Sequence, residues 1–102
     1  GKYISADGTP QTLTPADWQI DVLDTWHSAN SQADYPAQWH IEVPKLDLIL
    51  DGASLMADQE LHFARTYWEG AVGFDGTVGD RAVSAKGYVE MTGYADRLDT
   101  VL

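Results

Sequence analysis

Two glutamates sit among aromatic rings in neighbouring stretches of the chain, Tyr67-Trp68-Glu69-Gly70-Ala71-Val72 and Gly87-Tyr88-Val89-Glu90-Met91-Thr92-Gly93-Tyr94. Glu69 and Glu90 are the best local grouping of acid and aromatic side chains, and so the candidates for acid chemistry. A glutamate on the polar face of a strand pair is ordinarily solvated or paired with a neighbour such as Lys86, and that plainer reading is favoured for both. Other groupings carry less. His40 and Glu42 share a strand face and could supply two metal ligands, but no further histidine follows at ligand spacing, so no metal is expected. Asp47, Asp51, Asp58 and Glu60 lack the glycine-containing twelve-residue loop of a calcium site and read as a solvated acidic surface. Ser28 and Ser54 have no nucleophile-elbow context, and the closeness of His27 to Ser28 reads as coincidence. The sequence contains no nucleophile triad and no phosphate loop, and no cofactor is implied.

The elements that must position these groups are short strands. Turn signals recur at Asp7-Gly8, Asn30-Ser31, Tyr35-Pro36, Asp51-Gly52, Asp75-Gly76 and Gly79-Asp80, as in an antiparallel meander. Trp18-Gln19-Ile20-Asp21-Val22, Trp39-His40-Ile41-Glu42-Val43 and Leu46-Asp47-Leu48 alternate strictly, which places apolar side chains on one face. Thr14-Pro15-Ala16-Asp17 has the form of a helix start, but the strand at Trp18 limits it to one turn. Ala57 to Phe63 reads as irregular or extended.

The pair from Tyr67 to Tyr94 should adopt a register in which facing residue numbers sum to an odd value, with Tyr67 opposite Glu90 and Glu69 opposite Tyr88. One face then carries Trp68, Val72, Phe74, Val83, Ala85, Val89 and Met91, and the other Tyr67, Glu69, Ala71, Lys86, Tyr88, Glu90, Thr92 and Tyr94. An even sum would mix the two sets and bury carboxylates beside Trp68, at a cost of several kcal/mol unless they were paired or protonated. Gly70 and Gly73 suggest a bulge or tight curvature.

Composition sets the outer limits. A chain of 102 residues makes one domain with one modest core. Apolar residues are 44% of it, too many for a disordered tail, and the apolar runs are too short to span a membrane. Six cationic residues against sixteen acidic ones give a net charge of −10. The cations are scattered, which argues against a nucleic-acid partner and favours neutral or cationic guests. With no cysteine there is neither a disulfide framework nor thiolate chemistry, which leaves the compartment open.

The two aromatic-glutamate segments resemble the end of the AttH and carotenoid 1,2-hydratase family, whose members are often described as predicted secreted hydrolases. Leu13-Thr14-Pro15-Ala16-Asp17-Trp18, Trp26-His27-Ser28, Tyr35-Pro36-Ala37-Gln38-Trp39, Val43-Pro44 and Asp58-Gln59-Glu60-Leu61 agree with that family in order, so the likeness runs from Gly1 to Tyr94. It implies two lipocalin-like barrels in tandem, with this chain resembling the second, and a periplasmic or secreted location. The family's Asp-His-x-Trp-Gly segment, a natural catalytic candidate, does not occur here, and none of His27, His40 and His62 replaces it.

Hydration by such a relative would need a carboxylic acid kept protonated by an apolar pocket and aromatic faces to hold a carbocation. Glu69 and Glu90, beside Tyr67, Tyr88 and Tyr94, are the local match. The expected fold is an all-β, antiparallel lipocalin-like barrel of about seven strands, short for a closed one and so either open on one side or completed by a partner. Its apolar lining, Trp39, Trp68, Val72 and Met91, would take a small apolar ligand or form half of a cofactor-free hydratase or hydrolase site. The alternative is a scaffold whose polar-aromatic face, with Tyr67, Tyr88 and Tyr94, packs on an upstream lipocalin-like domain or on a second copy as a homodimer.

Overall fold

The computed structural model describes residues 1–95. Eight strands run in chain order: β1 Lys2–Ile4, β2 Pro10–Thr12, β3 Gln19–His27, β4 Asp34–Val43, β5 Leu48–Ser54, β6 Glu60–His62, β7 Thr66–Val78 and β8 Arg81–Thr92. β1 and β2 form a hairpin of their own. The other six make one antiparallel sheet in which β4 lies between β3 and β5. β7 has β8 along one edge, and β5 and then β6 along the other. Among the described residues the sheet does not close: β3 and β8 are free edges, as in an open lipocalin-like barrel.

Between the strands, the Thr14 segment makes one 3₁₀ turn, Pro15–Asp17. Asp17 Oδ2 accepts the Thr14 backbone N–H at 2.6 Å and its hydroxyl at 3.0 Å. A second such turn, Pro44–Leu46, followed by Asp47 at φ 50°, replaces the alternation expected over Leu46-Asp47-Leu48. Proline has no N–H to give a ladder, so β5 starts only at Leu48.

β7 and β8 pair along their full length with residue numbers summing to 159, from Tyr67 opposite Thr92 to Val78 opposite Arg81. The odd parity is the expected one, but the partners are offset by two: Tyr67 does not face Glu90, and Glu69 faces Glu90 rather than Tyr88. The turn decides this. Gly79, at φ 58°, takes the first of the two loop positions between Val78 and Arg81, where a two-residue hairpin of the II′ kind needs a positive φ.

No bulge accompanies Gly70 and Gly73, because the ladder passes both without a shift. A Cβ on Gly70 would lie 2.0 Å from the Gln59 Oε1. The missing side chain admits the Gln59 amide, which accepts the Ala71 N–H at 3.0 Å and donates to Ala71 O at 3.2 Å. The register shifts fall instead in β3, between Val22 and Thr25.

Cross-strand partners share a face, so one side of the sheet carries Ile20, Val22, Trp39, Ile41, Leu50, Phe74 and Val83 together with Trp68, Val72 and Met91. The sheet curls around this side. Tyr35 and Trp39 of β4 thereby join Trp68, Val72 and Met91 in one buried cluster, bordered by Trp26, Ile41, Phe74 and Val89. Trp68 is 1% exposed, and burial of a side chain that large contributes on the order of 3 kcal/mol. Its indole N–H donates to Ala57 O at 2.9 Å. Toward β3 the same face is uncovered, with Ile20 46% and Val22 50% exposed. Alternation puts these residues on the inner side, where they are left half exposed at the β3 edge of the sheet.

Candidate functional site

Glu60 is the buried acid of the described residues. β6 pairs with the start of β7 so that Glu60 faces Trp68, which sends its carboxylate to the inner side beneath the β3–β4 turn. Its side chain has no exposed surface. Oε1 accepts the Ser28 hydroxyl at 2.6 Å and lies 3.1 Å from His62 Nε2. Oε2 accepts the Ser31 hydroxyl at 2.5 Å and the Tyr35 hydroxyl at 2.7 Å. Two carboxylate oxygens offer about four acceptor positions, so these partners fill the group.

The surrounding turn is built to hold those hydroxyls. Ser28 N–H donates to Ala33 O at 2.8 Å, Gln32 N–H to Ser28 O at 2.9 Å, and Ser31 N–H to the Ser28 hydroxyl oxygen at 3.1 Å. Tyr35 stacks against Trp26, ring centres 6.1 Å apart, and meets Tyr94 at 5.5 Å. Burial pushes the Glu60 carboxyl up, but the hydroxyls of Ser28, Ser31 and Tyr35 and the nearby His62 outweigh it and hold it below the usual carboxylate range. Glu60 is therefore an ionised carboxylate at neutral pH, a strut between β6 and the β3–β4 turn rather than a proton donor.

The sequence-selected residues fall in three places. Trp39, Trp68, Val72 and Met91 come together in the buried cluster. Glu69 and Glu90 lie on the outer side, directly opposite each other, and Tyr88 donates its hydroxyl to Glu69 at 3.2 Å. Burial and the neighbouring charges of Glu69 and Glu90 raise the Tyr88 phenol. Tyr67 meets Phe63 at 6.5 Å. Tyr94 leaves the outer face: β8 ends at Thr92, Gly93 has φ 83°, and the Tyr94 ring turns to Tyr35.

His40 is held on the outer side by two carboxylates, Nδ1 to Asp51 at 2.6 Å and Nε2 to Glu42 at 2.9 Å. Its hydrogen bonds to Glu42 and Asp51 raise its pKa to about 9. An imidazolium with both nitrogens donating is no metal ligand, and no three His, Asp or Glu gather in metal-binding geometry among the described residues. His27 bonds to Asp34 at 2.9 Å and Gln32 at 3.3 Å, apart from the Ser28 hydroxyl, which Glu60 takes. A shallow hollow of about 530 Å³ opens where Ala53 and Gly73 leave the outer face bare, beside Asp75, Ser84 and Lys86.

Taken by its sequence neighbours alone, Glu60 reads as part of a solvated acidic surface; the structure encloses it. A signal was present: three of the segments that resemble the family contain Ser28, Tyr35 and Glu60, which the structure joins through one carboxylate.

The AttH-like family model matches residues 1–94. This chain belongs to the AttH-like family. Its fold is similar to the crystal structure of an AttH-assigned protein from Nitrosomonas europaea, with TM-score 0.78 and 33% identity over 92% of this chain and 29% of the other. It is also similar to kievitone hydratase from Nectria haematococca, with TM-score 0.76 and 23% identity over 96% of this chain and 30% of that one. The chain thus spans about three-tenths of the length of both structures. No curated protein matches it. No helix among the described residues is long and apolar enough to cross a membrane.

Proposed function

We propose that this AttH-like chain forms one wall of an apolar binding site in a larger two-barrel protein, and that an upstream lipocalin-like domain supplies the reacting groups. The observation that carries this reading is the exposed apolar pair Ile20 and Val22, which the half-buried Ile41 and Leu50 on the same face connect to the Trp39 and Trp68 cluster. Such a strip loses free energy in water and gains it against an apolar guest or a facing wall. The hydratase among the structural neighbours supports water addition to an apolar substrate as the reaction class of the whole protein, the protein being periplasmic or secreted. Glu60 is ionised and saturated, and Glu69 and Glu90 lie behind the wall, so in this reading none of them delivers the proton.

Titration of the chain with a polyprenyl ligand, followed by tryptophan fluorescence, tests the wall. Saturable quenching is expected, and it should weaken in V22D, which puts a charge in the strip. Absence of quenching favours a scaffold with no guest of its own, a reading that the filled cluster around Trp68 supports. In the full-length parent E69Q should leave turnover unchanged, and a large loss would return Glu69 to the mechanism.

A further inference from the structure

We propose that β8 is a homodimerisation edge, pairing antiparallel with β8 of a second copy in a register centred on Tyr88. β8 runs Arg81–Thr92 with one side on β7 and the other, among the described residues, unpaired. A long free edge with unused N–H and C=O groups is a template for another strand, and neither a proline nor a register shift interrupts this one.

The outer-face residues select the partner. Lys86 makes no ion pair among the described residues. Glu90 faces Glu69 across the β7–β8 ladder, a like-charge contact that disfavours the sheet as it stands. Tyr88, between Lys86 and Glu90 on that face, is 67% exposed.

A two-fold axis at Tyr88 places Lys86 of each copy opposite Glu90 of the other and Tyr88 opposite Tyr88. It sets Ser84 against Thr92 on the same face, and Met91 against Ala85 and Val89 against Gly87 on the apolar face. Registers centred on Lys86 or Glu90 put like charges together, those centred on Gly87 or Val89 leave both charges without a partner, and a shift that sets apolar against polar faces is excluded by burial. A lysine on an edge strand ordinarily guards against pairing. Here a strand bearing an acid two positions past its centre satisfies that guard, and this chain supplies such a strand.

Sedimentation equilibrium of the 102-residue chain tests the pairing through charge exchange. The unsubstituted chain should dimerise, and K86E or E90K alone should weaken the dimer by about tenfold, because each sets like charges opposite twice. The K86E/E90K double substitution should restore it, since the pairs re-form with exchanged signs. The chain has no cysteine, so Y88C should give a disulfide-linked dimer on mild oxidation while S84C, far from its own copy in this register, should not. Near-UV circular dichroism establishes that each variant is folded. A monomeric parent chain, single variants without effect, or a folded double variant that stays monomeric would overturn the proposal.

Discussion

At the scale of single residues, what matters most is which carboxylate is enclosed. Glu60 loses water and regains four partners; Glu69 and Glu90 stay on the outer side and share one tyrosine between them at most. Replacing Glu60 with Gln keeps the volume but removes acceptor capacity from three hydroxyls, and chemical denaturation should show a loss of about 1–3 kcal/mol. Glu60→Ala should cost more, about 2–5 kcal/mol, since it leaves the buried Ser28 and Tyr35 hydroxyls without this acceptor and also opens a void. His40 behaves differently because it is at the surface: H40N should leave stability nearly unchanged at high pH and reduce it below neutrality, where the native imidazolium has its two carboxylates. Sequence patterning made the outward placement of Glu69 and Glu90 legible. It could not mark Glu60, whose environment comes from a turn about thirty residues earlier in the chain.

At the scale of elements, register follows from turns and from small residues that admit a neighbour. The Gly79 turn fixes which residues of β7 and β8 meet, and the alternation of apolar side chains fixes only the parity. Gly52 shows the second effect: it faces Phe74 across β5 and β7, and a Cβ there would lie 2.1 Å from the Phe74 ring. G52A should therefore displace the ring and cost about 1–3 kcal/mol by overpacking, with a change in near-UV circular dichroism from the aromatic cluster. Of the bulge or tight curvature expected at Gly70 and Gly73, the bulge is absent; at Gly70 the missing side chain accommodates Gln59, a contact that strand-by-strand reading cannot see. Leu46-Asp47-Leu48 failed as a strand for a local reason that was legible, the preceding Pro44.

At the scale of the whole molecule, the charges define a pH window. Glu60 has a folded pKa below its ordinary 4.5, so its contribution to stability is fully present above that value and is lost as pH falls through the folded one. His40 is raised from 6.5 to about 9, so its contribution is fully present below 6.5 and is lost as pH rises toward 9. Hydrogen bonding to Asp34 and Gln32 raises His27 as well, which adds to the alkaline loss. Thermal unfolding midpoints should therefore peak between about pH 4.5 and 6.5, with E60Q flattening the acid limb and H40N the alkaline one. A profile unchanged by both substitutions would remove these groups as its cause.

The sequence by itself determined the all-β class, the parity of the β7–β8 pair, the aromatic cluster and the family likeness. Each of these is written in residues near one another or in a repeating pattern of period two, which local sterics and burial read directly. Only the tertiary structure decided which acid is buried, that the strip at Ile20 and Val22 stays open, and where Tyr94 points. Those outcomes depend on how far the sheet curls and on which distant turn meets which strand, and such contacts are set by the summed packing of the chain rather than by any one stretch of it.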